Sequence, residues 1–65
     1  MREIIPIQYG DEITVRNPTI GAIQADVVLK VYERDNAIEI VSYLTKKQAK
    51  EVIRALKSAI KEVTK

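Results

Sequence analysis

The sequence predicts an α+β fold in which an antiparallel four-stranded sheet (β-β-β-β-α) is followed by one C-terminal amphipathic helix packed on one face. Three observations lead there. Residues 23–32 alternate apolar and polar side chains with a period of two, the mark of a strand. From Lys46 to about Val63 there is neither glycine nor proline, and Ala49, Val52, Ile53, Leu56, Ala59, Ile60 and Val63 recur at spacings of three and four. One amphipathic helix can cover only one side of a sheet, which favours a two-layer arrangement.

Residues 3–8 read as a first strand, and Pro6 marks it as an edge because proline cannot donate to a ladder. A turn at Tyr9, Gly10 and Asp11 follows. Ile13 and Val15 then alternate with Thr14 and Arg16 up to an Asn17-Pro18 break. The third strand alternates Ile23, Ala25, Val27, Leu29 and Val31 with Gln24, Asp26, Val28, Lys30 and Tyr32. Arg34, Asp35 and Asn36 form a turn in which Asn36 suits a left-handed conformation. Residues 37–43 make the last strand of this hairpin. The helix opens with Thr45 and Gln48, a capping box in which each side chain meets the other residue's amide.

Residues 1–65 form a single domain. A domain this small buries only roughly 60% of the surface of its unfolded chain, so self-association into a homodimer is expected. Apolar residues make up 46% and charged residues 31%, a folding and well-solvated composition. Residues 1–8 mix charges and Pro6 with isoleucines, which predicts neither a signal peptide nor a membrane span. A soluble, intracellular, cytoplasmic protein without membrane contact is the expectation. Frequent Ile, Lys and Glu beside three Gln and two Asn would suit a thermophile.

Several chemistries lack their residues. The chain has no cysteine and no histidine, which removes disulfides, the commonest zinc sites and the usual general base. Its two glycines, Gly10 and Gly21, stand apart, so there is no phosphate-cradling glycine-rich loop. No acidic loop of calcium type is present. Ser42 and Ser58 have no base to activate them, and the acids Asp11, Glu12, Glu33 and Asp35 sit at turns. The expectation is a protein that is not an enzyme and holds no cofactor and no metal.

Charge is unevenly spread. The net charge is +2, yet residues 1–44 carry four basic against seven acidic side chains, and residues 45–65 carry seven against two. Lys50, Arg54, Lys57, Lys61 and Lys65 fall on one stripe of the helix, beside its apolar face, where like charges on adjacent turns repel. Glu51 and Glu62 lie beyond this stripe, and the acidic strand ends are a possible internal counterweight. On the sheet, the face turned away from the helix would carry Thr14, Arg16, Gln24, Val28, Lys30, Tyr32, Val41 and Tyr43. Arg16, Lys30, Tyr32 and Tyr43 combine cations for phosphates with rings for bases, the ingredients of a single-strand nucleic-acid surface. Tyrosine and valine are also ordinary strand formers at half-exposed positions.

The stretches 12–16 (Glu-Ile-Thr-Val-Arg), 25–33 (Ala-Asp-Val-Val-Leu-Lys-Val-Tyr-Glu) and 38–40 (Ile-Glu-Ile), followed by a threonine-capped helix, resemble the core of the positive cofactor four family of transcriptional coactivators. The resemblance covers about residues 12–63. It implies a dimer that binds single-stranded DNA on a four-stranded sheet followed by one helix, with Arg16, Lys30 and Tyr32 at strand positions like those that contact DNA. Together these readings favour a small non-enzymatic nucleic-acid-binding module, for single-stranded DNA or RNA, acting as a homodimer. Its candidate contacts are Arg16, Lys30, Tyr32, Tyr43, Lys50, Arg54, Lys57 and Lys61. The alternative is a small viral, plasmid or accessory protein-interaction domain that meets an acidic protein through its exposed sheet face or basic helix.

Overall fold

Four strands pair in chain order, each antiparallel to the next: β1 (Arg2–Pro6), β2 (Glu12–Arg16), β3 (Val27–Glu33) and β4 (Ile38–Leu44). Helix α1 (Lys46–Val63) follows at once. The computed structural model describes residues 1–19 and 24–63. The predicted α+β order is therefore observed, with Pro6 at the end of an edge strand. Ile23, expected in the third strand, and Lys65, expected in the basic stripe, lie outside the described residues.

β3 begins at Val27, later than the alternation predicts. Asp26 is drawn out of the strand by other bonds: its amide donates to the Leu44 carbonyl (2.9 Å) and its carboxylate accepts from the Lys46 amide (2.8 Å). The capping box is formed as expected, with the Gln48 amide donating to Thr45 Oγ1 (3.2 Å) and the Thr45 amide to Gln48 Oε1 (2.9 Å). Three of the donors orphaned at the helix start are thus satisfied, those of Thr45 and Gln48 by the box and that of Lys46 by Asp26.

The turns differ in detail from the sequence reading. Between β1 and β2, Gln8–Gly10 forms a single 3-10 turn with Tyr9 (φ 63°) and Gly10 (φ 77°) both left-handed. A Cβ on Gly10 would stand 2.8 Å from Arg34 Nη1, so the glycine serves both its own backbone and the arginine lying over it. Between β3 and β4 the left-handed residue is Ala37 (φ 51°), whereas Asn36 uses its side-chain amide to donate to the Glu33 carboxylate. The Arg34 amide donates to Asp11 Oδ1 at 3.1 Å and ties the two turns together.

The register sorts side chains onto two faces. On one, Ile5, Ile13, Val31 and Ile40 stand in a row beside a second row of Glu3, Val15, Leu29 and Ser42. α1 meets the sheet mainly at β4 and overhangs this face. Val15, Val27, Leu29 and Leu44 form one wall of an open apolar cleft of about 260 Å³, and Ala49, Val52, Ile53 and Leu56 form the other. The helix does not close over the face: Ile40 remains 62% exposed and Leu56 59%. The buried positions lie instead on the opposite face, where Val28 is fully buried and Thr14 nearly so. Val28, which the alternation puts on the face turned away from the helix, sits there on a central strand between Arg16 and Tyr43 in register.

Candidate nucleic-acid interface

The face opposite the helix is built from three rows. Arg2, Arg16, Val28 and Tyr43 form the first, Ile4, Thr14, Lys30 and Val41 the second, and Pro6, Glu12, Tyr32 and Glu39 the third. Hairpin register brings Arg2 directly across from Arg16, and Lys30 lies one row on, across from Thr14. These residues come from three strands and meet only because antiparallel pairing is continuous across the sheet.

Arg2, Arg16 and Lys30, with Ile4, Glu12 and Thr14, line a shallow pocket of about 190 Å³. Directly opposed like charges on a sheet are destabilising by roughly 0.2–1 kcal/mol. The internal compensation is thin. Arg16 donates to the neighbouring Asn17 carbonyl at 3.4 Å, and Lys30 lies 3.7 Å from Glu39 in a partly exposed ion pair. An exposed pair of this kind competes poorly with an incoming multivalent anion, since such pairs are worth about 0–1 kcal/mol. Thr14, only 6% exposed, is part of the pocket lining.

The two tyrosines flank this cluster differently. Tyr43 is exposed at the end of the Arg16 row, beside Val28. Tyr32 is half-buried between Glu12 and Glu39, so its ring has acidic neighbours on both sides. The structure thus brings Arg16, Lys30, Tyr32 and Tyr43 onto one face, as the alternation predicts. Arg2 completes the cluster and is absent from the sequence-based set. Its signal was available: Arg2 shares the parity of Ile4 and Pro6, and a hairpin centred on Tyr9 pairs it with Arg16.

Lys50, Arg54, Lys57 and Lys61 belong to a separate surface on α1. Arg54 is held by Glu51, with its Nη2 3.0 Å from Oε2, an i,i+3 pair within the helix. The stripe therefore has help from its own helix, which its i,i+4 spacings alone do not reveal. Lys50 and Lys57 make no ion pair among the described residues, either with the helix or with the acidic strands. Nor does any group of three or more acidic side chains among them stand ready to hold a metal ion. No described helix is long and apolar enough to cross a membrane.

Compared with known proteins, the chain matches no protein-family model, no curated protein and no solved structure.

Proposed function

We propose that the basic sheet face binds single-stranded nucleic acid, DNA or RNA, without catalysing a reaction. The observation that carries this reading is the opposition of Arg2 and Arg16 beside Lys30 around one shallow, open pocket. Phosphates would relieve that repulsion. Tyr43 and Tyr32 offer ring faces to unpaired bases, and stacking of this kind tolerates any sequence. A four-stranded sheet is too broad to enter a duplex groove as a helix or a two-stranded ribbon does, which favours single strands. The resemblance of the element order to the positive cofactor four family points the same way.

The test is fluorescence anisotropy of labelled oligothymidylate, oligoadenylate and a duplex at about 50 and about 200 mM salt. Three phosphate contacts give a salt slope of about −2 for a single strand, so affinity falls roughly twentyfold between these conditions. Absence of salt-dependent binding to any single strand, or a tenfold preference for the duplex, refutes the reading.

A second reading, binding of an acidic protein, rests on Lys50 and Lys57, exposed on α1 and without an ion pair among the described residues. In that case Lys50→Glu with Lys57→Glu slows association with an acidic peptide, since such charges act mainly on the on-rate. An unchanged on-rate removes the helix from consideration.

A further inference from the structure

The pocket among Arg2, Arg16 and Lys30 is not purely basic. Glu12 lines it as well, and Thr14 supplies its one hydroxyl among the described residues. Strand β2 sets Glu12, Thr14 and Arg16 on one face at every second position, about 7 Å apart along the chain. The strand thus runs from an acceptor through a hydroxyl to a cation.

A carboxylate in a phosphate site needs a reason, since it repels the anion that the cations attract. Pairing with those cations would be one, and it is not observed. Glu12 makes neither an ion pair nor a side-chain hydrogen bond among the described residues, whereas Lys30 lies 3.7 Å from Glu39. Its oxygens remain open, and an ionised carboxylate can only accept. A donor on the ligand satisfies it.

The size and lining of the pocket identify that donor. At about 190 Å³ it is smaller than the roughly 300–1,000 Å³ of sites that enclose a whole small molecule, and neither Tyr32 nor Tyr43 lines it. The bases are left to the rings outside, and the pocket takes the sugar–phosphate backbone. A deoxyribose–phosphate backbone carries no hydrogen-bond donor along its length. Ribose carries one at every unit, the 2′-hydroxyl, on the carbon next to the one that bears the 3′-phosphate, and this group lets a protein tell RNA from DNA.

Resting on the reading of this face as a single-strand surface, we propose that it selects RNA over DNA, with Arg2, Arg16 and Lys30 on the phosphates and the Glu12 carboxylate accepting from a 2′-hydroxyl. Thr14, between Glu12 and Arg16 on the strand, is able both to donate and to accept. With DNA the same carboxylate meets no backbone donor and only repels the phosphates, so the preference has an attractive and a repulsive part.

Anisotropy titrations with oligouridylate, oligodeoxyuridylate and 2′-O-methyl oligouridylate of one length test this. The ribo strand binds about tenfold more tightly than the deoxy strand, the low end for a hydrogen bond to a charged group, as befits an exposed position. The 2′-O-methyl strand keeps the oxygen but loses the donor, and binds like the deoxy strand. Glu12→Ala brings the ribo-to-deoxy ratio close to one, with the deoxy strand bound as well as before or better. Glu39→Ala removes a carboxylate on the same face but outside the pocket, and leaves the ratio unchanged. Equal affinities for the ribo and deoxy strands overturn the inference and leave single-strand binding standing, whereas absence of salt-dependent binding to either removes that reading as well. A ribo preference that the 2′-O-methyl strand shares, or one that survives Glu12→Ala, also overturns it.

Discussion

The carboxylate of Asp26 accepts a hydrogen bond from the amide of Lys46 at 2.8 Å, joining the start of β3 to the first turn of α1 across twenty residues of sequence. The same residue donates its amide to Leu44 and accepts from the Asn17 side chain through its carbonyl. One aspartate thus links the end of β2, the start of β3 and the helix entry. Because α1 otherwise meets the sheet mainly at β4, this corner sets the direction in which the helix leaves the sheet. That direction governs how far the apolar cleft stands open.

Asp26→Ala removes an acceptor and a negative charge from the positive end of the helix dipole. The expected loss of stability is about 1 kcal/mol, with Asp26→Asn intermediate because its amide oxygen still accepts. Urea unfolding followed by circular dichroism measures both. Equal midpoints for the three proteins would show that the link contributes nothing.

Ala37 is the residue at which the β3–β4 turn carries strain. Its φ of 51° puts a side chain in the left-handed region, where an L-residue is disfavoured by roughly 1–2 kcal/mol. Glycine avoids that cost but returns part of it through greater freedom in the unfolded chain. The net expectation for Ala37→Gly is a gain of about 0.5–1 kcal/mol, read as a higher denaturant midpoint at unchanged m-value. A lower midpoint would mean that the turn relaxes to negative φ in solution.

The pattern of what was legible in the sequence follows from the range of the forces involved. The period of two in β3 and β4 and the period of 3.6 in α1 are local, as is the Thr45–Gln48 box, and all three are found in the structure. The burial of Val28 was not legible, because it depends on which residues two neighbouring strands place beside it. Nor was the role of Asp26, since its partner Lys46 lies in another element. Asn36 was the natural candidate for a left-handed turn residue, yet its amide bonds to Glu33 and the conformation passes to Ala37. Four candidates were legible on the sheet, whereas Arg2 required the register of the first hairpin.

Arg2 separates stability from binding. Replacing it with serine removes a like charge from opposite Arg16, so the fold should be unaffected or stabilised by up to about 0.5 kcal/mol. Single-strand affinity should fall, and the salt slope should become shallower by about 0.7, the loss of one phosphate contact. Paired urea and anisotropy titrations check this. An unchanged slope would place the nucleic acid away from the β1–β2 end of the sheet.

The tyrosines should contribute unequally. Tyr43 is exposed in the row that holds Arg2 and Arg16, so a base stacked on it has cations nearby for its phosphate. Tyr32 is half-buried, and the carboxylates of Glu12 and Glu39 on its two sides repel a phosphate. A stacked base is worth about 1–3 kcal/mol, so Tyr43→Ala weakens single-strand binding by roughly fivefold to a hundredfold. Tyr43→Phe keeps the ring and hence most of the affinity, while Tyr32→Ala has the smaller effect of the two alanine variants. Anisotropy at fixed salt gives the order directly. A larger loss in Tyr32→Ala would mean that bases enter from the Glu12 row, against the charge of that edge, and would move the binding path across the sheet.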